Sequence, residues 1–216
     1  MSKDAGIEID EQLAIGYDGI LAEVDERISL SVGNHYLLAR NGRGKTTLLR
    51  SLAGVLPLRR GGFQIKGVRK FIPEDVFFND HLPACAIFKA MLPKSRLEDC
   101  LAMAELIELD VRRSYRQLST GNKRKVSLLV AEYSCDDSGD WVLLLDEPFT
   151  GLDSFTREAF LEYWDRTSDE VCRLVSCHPD FDSMSISSAL LISDGKLTAV
   201  SDKEGQKWSD LKTRLH

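Results

Sequence analysis

The sequence lacks most of the features that would place a chain outside the ordinary globular proteins. It has no C-x-x-C pair, and its five cysteines (Cys85, Cys100, Cys135, Cys172 and Cys177) are an odd number. That argues against a disulfide framework or a zinc site and predicts reduced thiols. Long apolar runs are missing too: Trp141–Leu145 is about a quarter of a membrane span. No apolar stretch follows the opening Met1-Ser2-Lys3-Asp4-Ala5-Gly6, so a soluble, cytoplasmic chain without a signal peptide is expected. Positive charge is not in excess, since 28 Lys and Arg against 34 Asp and Glu give −6. A chain held on nucleic acid by phosphate neutralisation shows the opposite balance, so no nucleic-acid partner is expected. Internal repeats and low-complexity tracts are absent as well.

What remains is a globular composition, 43% hydrophobic and 29% charged over 216 residues. This length suits one large domain or a core with a smaller lobe, and buries enough surface to need no covalent staples. Short apolar runs alternate with helical patterns, which predicts an α/β fold with helices on a sheet. The strand candidates are Gly6–Ile15, Ile28–Val32, His35–Ala39, Phe63–Lys66, Trp141–Leu145, Val171–Val175, Leu190–Ser193 and Leu197–Val200. Asp194-Gly195 between the last two reads as a hairpin turn. A helix is expected over Lys45–Leu56, stopped by Pro57. Val126, Leu129, Val130 and Tyr133 form one apolar stripe at helical spacing. Pro83 to Leu109 reads as two or three helices with no strand between them, a candidate second lobe. The segment from Gly205 to His216 reads as a short closing helix or frayed tail.

The strongest local signal is Ala39-Arg40-Asn41-Gly42-Arg43-Gly44-Lys45-Thr46-Thr47, set between a strand and a helix. Gly42 and Gly44 let the backbone turn so that successive N–H groups face an anion. The helix beginning at Lys45 adds its positive dipole end. Lys45 would reach β- and γ-phosphates, and the Thr46 hydroxyl would ligate Mg2+. Ala39 stands where the motif has its first Gly, which is tolerable only at negative φ. Such a loop by itself also fits kinases, GTPases and motor proteins.

Val142-Leu143-Leu144-Leu145-Asp146-Glu147 reads as a buried strand with two acids at its carboxyl end, where ligands of parallel sheets bind. Asp146 would hold Mg2+, directly or through water, and Glu147 would polarise a water for in-line attack on the γ-phosphate. Upstream, Leu118-Ser119-Thr120-Gly121-Asn122-Lys123-Arg124-Lys125 opens the striped helix. Ser119 reads either as a plain N-cap or, with the small Gly121, as a second anion site.

Together these segments resemble the nucleotide-binding subunit of ATP-binding cassette (ABC) transporters over about Ile7 to Val200. Leu118-Ser119-Thr120-Gly121-Asn122 resembles the family's LSGGQ signature, departing at Thr120 and Asn122. Asp146-Glu147-Pro148-Phe149-Thr150-Gly151-Leu152-Asp153 resembles its Walker B and D-loop segment. Ser176-Cys177-His178 resembles its switch-histidine segment. Tyr17, 28 residues before Lys45, sits where the family places an aromatic that stacks on adenine. Glu74 stands where the family has the Gln of its Q-loop, which removes an amide donor and adds a carboxylate able to reach Mg2+. Only 29 residues separate Lys45 from Glu74, implying a trimmed outer hairpin.

The resemblance implies a P-loop NTPase core of mixed sheet and helices, with a small helical lobe and an N-terminal antiparallel β region. A single ABC ATPase domain over 1–216 is expected, its core lobe about 1–73 and 118–216, its helical lobe about 74–117. Implied catalytic residues are Glu147 and His178, the latter contacting the γ-phosphate. Implied nucleotide contacts are Tyr17, Asn41, Gly42, Arg43, Gly44, Lys45, Thr46, Thr47, Ser119 and Gly121, and implied metal contacts Thr46, Asp146 and Glu74. ATP would lie between two copies in a homodimer or pseudo-symmetric heterodimer, the phosphate loop of one facing the signature helix of the other. A membrane-spanning permease subunit is the implied partner, placing the chain peripherally on the cytoplasmic membrane face. Phe77, Phe78, Leu82 and Phe88 are candidates to line its docking groove or to pack the lobe. His35, His81 and His216 read as structural or loop residues, and Trp141 and Trp164 as packing residues. Lys123-Arg124-Lys125 looks like the exporter branches, so ATP-driven export is the expectation. The alternative is a low-turnover ATP-binding switch that regulates or scaffolds a complex.

Overall fold

The computed structural model describes residues 4–136, 139–177 and 185–215. In chain order its elements are β1 (Gly6–Ile9), β2 (Ala14–Ile15), β3 (Ala22–Val24), β4 (Ile28–Leu30), β5 (Gly33–Ala39), α1 (Lys45–Leu52), β6 (Phe63–Lys66) and β7 (Val68–Ile72). There follow α2 (Ala84–Met91), α3 (Leu97–Leu106), α4 (Thr120–Tyr133), β8 (Trp141–Leu145), α5 (Ser154–Arg166), β9 (Val171–Cys177), β10 (Ser185–Ser193), β11 (Lys196–Lys207) and α6 (Trp208–Lys212). Single 3-10 turns cover Lys94–Arg96 and Tyr115–Gln117.

The chain divides into two compact units. The first comprises residues 1–73, 140–147 and 167–216. It holds a small antiparallel sheet in the order β4-β1-β6 and a mixed sheet in the order β2-β3-β11-β10-β5-β9-β8-β7. Strands β10, β5, β9, β8 and β7 run parallel, so the carboxyl ends of β5, β9 and β8 share one edge. Their residues form near-continuous apolar runs, as buried parallel strands require: Val142, Leu143, Leu144 and Leu145 are wholly inaccessible to solvent. One core joins Ile7, Ile9 and Ile28 of the small sheet, Leu48, Leu49 and Leu52 of α1, and Leu37, Leu144, Leu174 and Leu190 of the large sheet.

Several expected elements end differently from the sequence reading. The strand expected over Gly6–Ile15 is broken by a turn at 10–13, where Gln12 has φ 69° and Leu13 N–H donates to the Asp10 carbonyl. The helix after the Gly-rich loop stops at Leu52, because Gly54 takes φ 75° and the Arg69 guanidinium donates to the Leu52 carbonyl at 2.8 Å. Strand β7 has no counterpart in the sequence reading. It lies at the sheet's edge, paired only with β8, and an edge strand carries charges such as Arg69 and Lys70 without penalty. Asp194 and Gly195 do make the two-residue hairpin of β10 and β11, both with positive φ as a type I′ turn demands. His35 is buried between Ser188 and the Ser31 carbonyl. The five cysteines are free. His216 lies outside the described residues.

The second unit comprises residues 74–139 and 148–166. Residues 118–139 and 148–166, assigned from the sequence to the core lobe, are thus part of it. Its interior contains Phe88, Cys100, Ala104, Ile107, Tyr115, Phe160 and Trp164. All four stripe residues of α4 (Val126, Leu129, Val130 and Tyr133) are buried. Tyr133 stacks on Tyr163 at 5.2 Å, and Phe149 tilts over Trp164 at 4.9 Å. No helix among the described residues is long and apolar enough to cross a membrane.

Candidate functional site

In the first unit the loop 39–44 leaves β5 and turns into α1. Ala39 closes β5 at negative φ, so its methyl group is compatible with the turn. Gly42 has φ 75°, and no atom lies within 4 Å of where a Cβ would stand. Gly44 has φ 106° and caps α1 without any side-chain bond, leaving the first-turn N–H groups to an anion. Asn41, Gly42 and Arg43 are exposed, Thr46 is half-buried, and Lys45 and Thr47 are buried. The opening of the loop is therefore accessible while its lysine is held inside.

Lys45 Nζ donates to the Ala39 carbonyl at 3.2 Å and lies 3.4 Å from Glu147 Oε1. The lysine and glutamate side chains are 8% and 13% exposed, so solvent screens this pair weakly. Asp146, 3% exposed, continues β8 by donating its N–H to the Ile72 carbonyl of β7. Glu147 then leaves the strand at φ 47°, a left-handed conformation that costs a non-glycine residue about 1–2 kcal/mol. Its N–H donates to Ser176 Oγ at 2.7 Å, and that hydroxyl donates to Asp146 Oδ1 at 2.8 Å. The register explains the contact, because Leu145 of β8 pairs with Val175 of β9 and brings the next residues side by side. The sequence singled out Ser176 only as the first residue of the switch-histidine-like segment, with no role of its own; the signal for one was its place near the end of a strand beside the acidic one.

Tyr17 is half-exposed on the loop between β2 and β3. Gly16, at φ 155°, makes that loop tight, and Leu21 N–H closes it on the Ile15 carbonyl at 2.8 Å. Leu21 and Ile15 lie 3.8 and 3.5 Å from where a Gly44 Cβ would be, which sets the Tyr17 loop beside the start of α1. Burial pushes the Cys177 thiol well above its ordinary range, and the neighbouring Glu147 carboxylate adds to the shift. His178 lies outside the described residues.

The remaining expected site residues belong to the second unit. Ser119 caps α4, its Oγ accepting the Asn122 N–H at 3.3 Å, and both Ser119 and Thr120 are exposed. Gly121 has a steric reason of its own, since a Cβ there would stand 2.9 Å from the Gly151 carbonyl oxygen. Asp153 caps α5 through two bonds from Thr156; these hold its carboxyl below the ordinary carboxylate range, with the Lys125 ammonium at 3.6 Å contributing. Glu74 is exposed, and its carbonyl accepts from Arg124.

The three basic residues after Gly121 have local structural duties. Lys125 is buried and donates to the Ile107 carbonyl at 2.7 Å at the end of α3. Lys123 lies over the Tyr115 ring at 5.1 Å.

A buried Lys on a glycine turn at a helix start, with two acids at the end of an adjacent parallel strand, can hold polyphosphate and orient a water at its terminal phosphorus. The residues also fit Mg2+, which takes one or two protein oxygens together with substrate phosphates. Thr46 and Asp146 supply hard oxygens of that kind. A dedicated cage is not required, and among the described residues no group of three His, Cys, Asp or Glu side chains forms one.

Residues 27–150 match the sequence profile of the family described as ABC transporter. The taurine import ATP-binding protein TauB of Pseudomonas fluorescens is 34% identical over 188 residues, covering 74% of this chain and 68% of that one. The phospholipid-transporting ATPase ABCA3 of Mus musculus is 30% identical over 162 residues, 66% of this chain but 9% of that much longer protein. Among solved structures, an ATP-binding subunit of an ABC transporter superposes with TM-score 0.76 at 20% identity, over 96% of this chain and 98% of that one. An RNase-L inhibitor superposes with TM-score 0.72 at 17% identity, over 95% of this chain and 41% of the other. The structural likenesses establish the mixed α/β fold of P-loop ATPases. The relative with the greater coverage is an importer by name, which does not support the expectation of export.

Proposed function

The chain belongs to the ABC transporter family as an ATP-binding, ATP-hydrolysing subunit, and from that premise we propose that it powers import through a separate membrane-spanning permease. The import direction is supported by the name of the taurine relative. A place on the cytoplasmic face of the membrane fits a chain whose cysteines are free and whose described helices are too short or too polar to span a bilayer. Phe77, 79% exposed, and Leu82, 40% exposed, are offered as the apolar contact for the permease; Phe88 is buried and takes no part.

The observation that carries the reading is the Lys45–Glu147 pair at the joined ends of β5, β8 and β9. Arrival of a triphosphate draws the Lys45 ammonium onto its oxygens, helped by the N–H groups around Gly42 and Gly44. Glu147, released from that ammonium, accepts a hydrogen bond from the attacking water and takes its proton. Tyr17 offers its half-exposed ring as a stacking face for adenine. Thr46 and Asp146 would hold Mg2+ through their side-chain oxygens. Mg2+, when bound, neutralises charge on the phosphate oxygens. His178 would contact the γ-phosphate. Asn41, Arg43 and Thr47 complete the loop around the phosphates.

Two copies, identical or similar, would close on the nucleotide, each offering Ser119 and Gly121 to the other's phosphates. The exposed Ser119 and Thr120 at the head of a 14-residue helix support this arrangement. The test is phosphate release by the purified chain and by E147Q, followed by solute uptake into vesicles reconstituted with the co-purifying permease. The reading expects hydrolysis lower in E147Q by about two to four orders of magnitude, with ATP still bound. Wild-type release no greater than that of E147Q would instead mark a low-turnover ATP-binding switch.

A further inference from the structure

The two acids of the site are joined by a third residue. Ser176 is wholly buried at the end of β9. Its hydroxyl has one proton, which goes to Asp146 Oδ1 at 2.8 Å, and its oxygen accepts the Glu147 N–H at 2.7 Å. The bonds run in one direction, from the Glu147 backbone through the hydroxyl to the Asp146 carboxylate. A chain of this kind polarises each bond in turn. Both contacts bear on function. The first fixes which carboxylate oxygen of Asp146 is taken, leaving the other for a metal or its water. The second clamps the backbone of a residue at φ 47°, a conformation that other contacts must hold. That same backbone aims the Glu147 side chain at Lys45.

We propose that Ser176 is a positioning residue for hydrolysis, fixing the metal-facing oxygen of Asp146 and the backbone from which Glu147 acts. The inference rests on the reading of Asp146 and Glu147 given above. A residue that acts this way changes metal affinity and turnover more than nucleotide affinity. Alanine at the position removes both bonds. Threonine keeps the hydroxyl, and cysteine keeps the volume with a weak donor.

The experiment compares S176A, S176C and S176T with wild type and E147Q. It measures kcat and KM for ATP, binding of ATP in EDTA, and Mn2+ affinity by electron paramagnetic resonance with a nonhydrolysable ATP analogue. For S176A and S176C, kcat is expected to fall and the Mn2+ dissociation constant to rise, each by about ten- to a hundredfold. KM and metal-free ATP binding should stay close to wild type, and S176T should recover most of the loss. Should S176A not fold, S176C carries the same comparison. If E147Q is inactive while S176A and S176C keep wild-type kcat and Mn2+ affinity, the role of Ser176 is overturned and the site reading stands. If E147Q hydrolyses ATP like the wild type, the site reading falls and takes this inference with it.

Discussion

The ammonium of Lys45 stands 3.4 Å from the carboxylate of Glu147, and neither side chain has more than 13% of its surface in solvent. Removing one member of a pair buried this deeply leaves the other's charge uncompensated, at a cost of about 3–5 kcal/mol when burial is complete. K45A is therefore expected to lower the nucleotide-free stability by about 2–4 kcal/mol, and K45A/E147Q to recover part of that loss. Urea denaturation of the two single variants and the double variant gives the coupling. A double variant whose loss equals the sum of the two single losses would mean the contact does not couple the two residues.

Ala39 is the residue at which the loop departs from the usual motif, and its backbone shows the departure to be harmless. It sits at negative φ at the buried end of a strand. Restoring glycine adds freedom to the unfolded chain and removes a packed methyl, so A39G should destabilise by about 0.5–1 kcal/mol. The KM for ATP should stay within about twofold, because the loop geometry it depends on is set at Gly42 and Gly44. A large gain in affinity or turnover in A39G would show that the methyl obstructs the site.

Alanine in place of glycine in a helix ordinarily stabilises by about 1 kcal/mol. G121A should have the opposite sign, since the added Cβ would meet the Gly151 carbonyl oxygen at 2.9 Å. S119A, by removing the cap on the Asn122 N–H, should cost about 0.5–2 kcal/mol. Thermal or urea unfolding reads both, and a stabilised G121A would contradict the close approach.

His35 lowers stability in acid. Its Nε2 faces the Ser31 carbonyl, an acceptor only, so Nε2 carries the proton and the neutral Nδ1 accepts from the Ser188 hydroxyl at 2.7 Å. Burial holds its pKa below the ordinary 6.5, the Ser31 bond opposing that shift. A group with a depressed folded pKa disfavours its charged form in the native state, and the unfolded chain takes up the proton first. The stabilisation is complete above pH 6.5 and is lost as pH falls through it toward the folded value. Urea midpoints at pH 7.5 and 5.5 should differ more in the wild type than in H35Q. An equal difference would assign the acid sensitivity to other groups.

The sequence made the phosphate loop, the acidic strand and the serine-capped helix legible because each is a local pattern. Glycine spacing, a continuous apolar run and a cap followed by a stripe can all be seen within about ten residues. Strand β7 was hidden because it is an edge, with Arg69 and Lys70 interrupting its apolar pattern. What Ser176 does was hidden for a different reason. Its role depends on β9 lying beside β8 in one register, a pairing of residues 30 positions apart. The places of the basic residues after Gly121 were not legible, because side-chain identity says nothing of destination. Lys125 turned inward to the buried Ile107 carbonyl at the end of α3, a satisfied buried cation that looked like a surface charge.

Gly67 alone separates β6, in the small sheet, from β7, in the large one. At φ 103° its position leaves no room for a side chain, because a Cβ would fall 2.4 Å from the Asp140 carbonyl oxygen. The next residue, Val68, donates its N–H to that same oxygen at 2.7 Å. A junction this short works as a rivet: the two sheets have no slack at this point with which to slide apart. The acidic strand starts directly after Asp140, so the same junction ties the small sheet to the root of the strand that leads into Asp146.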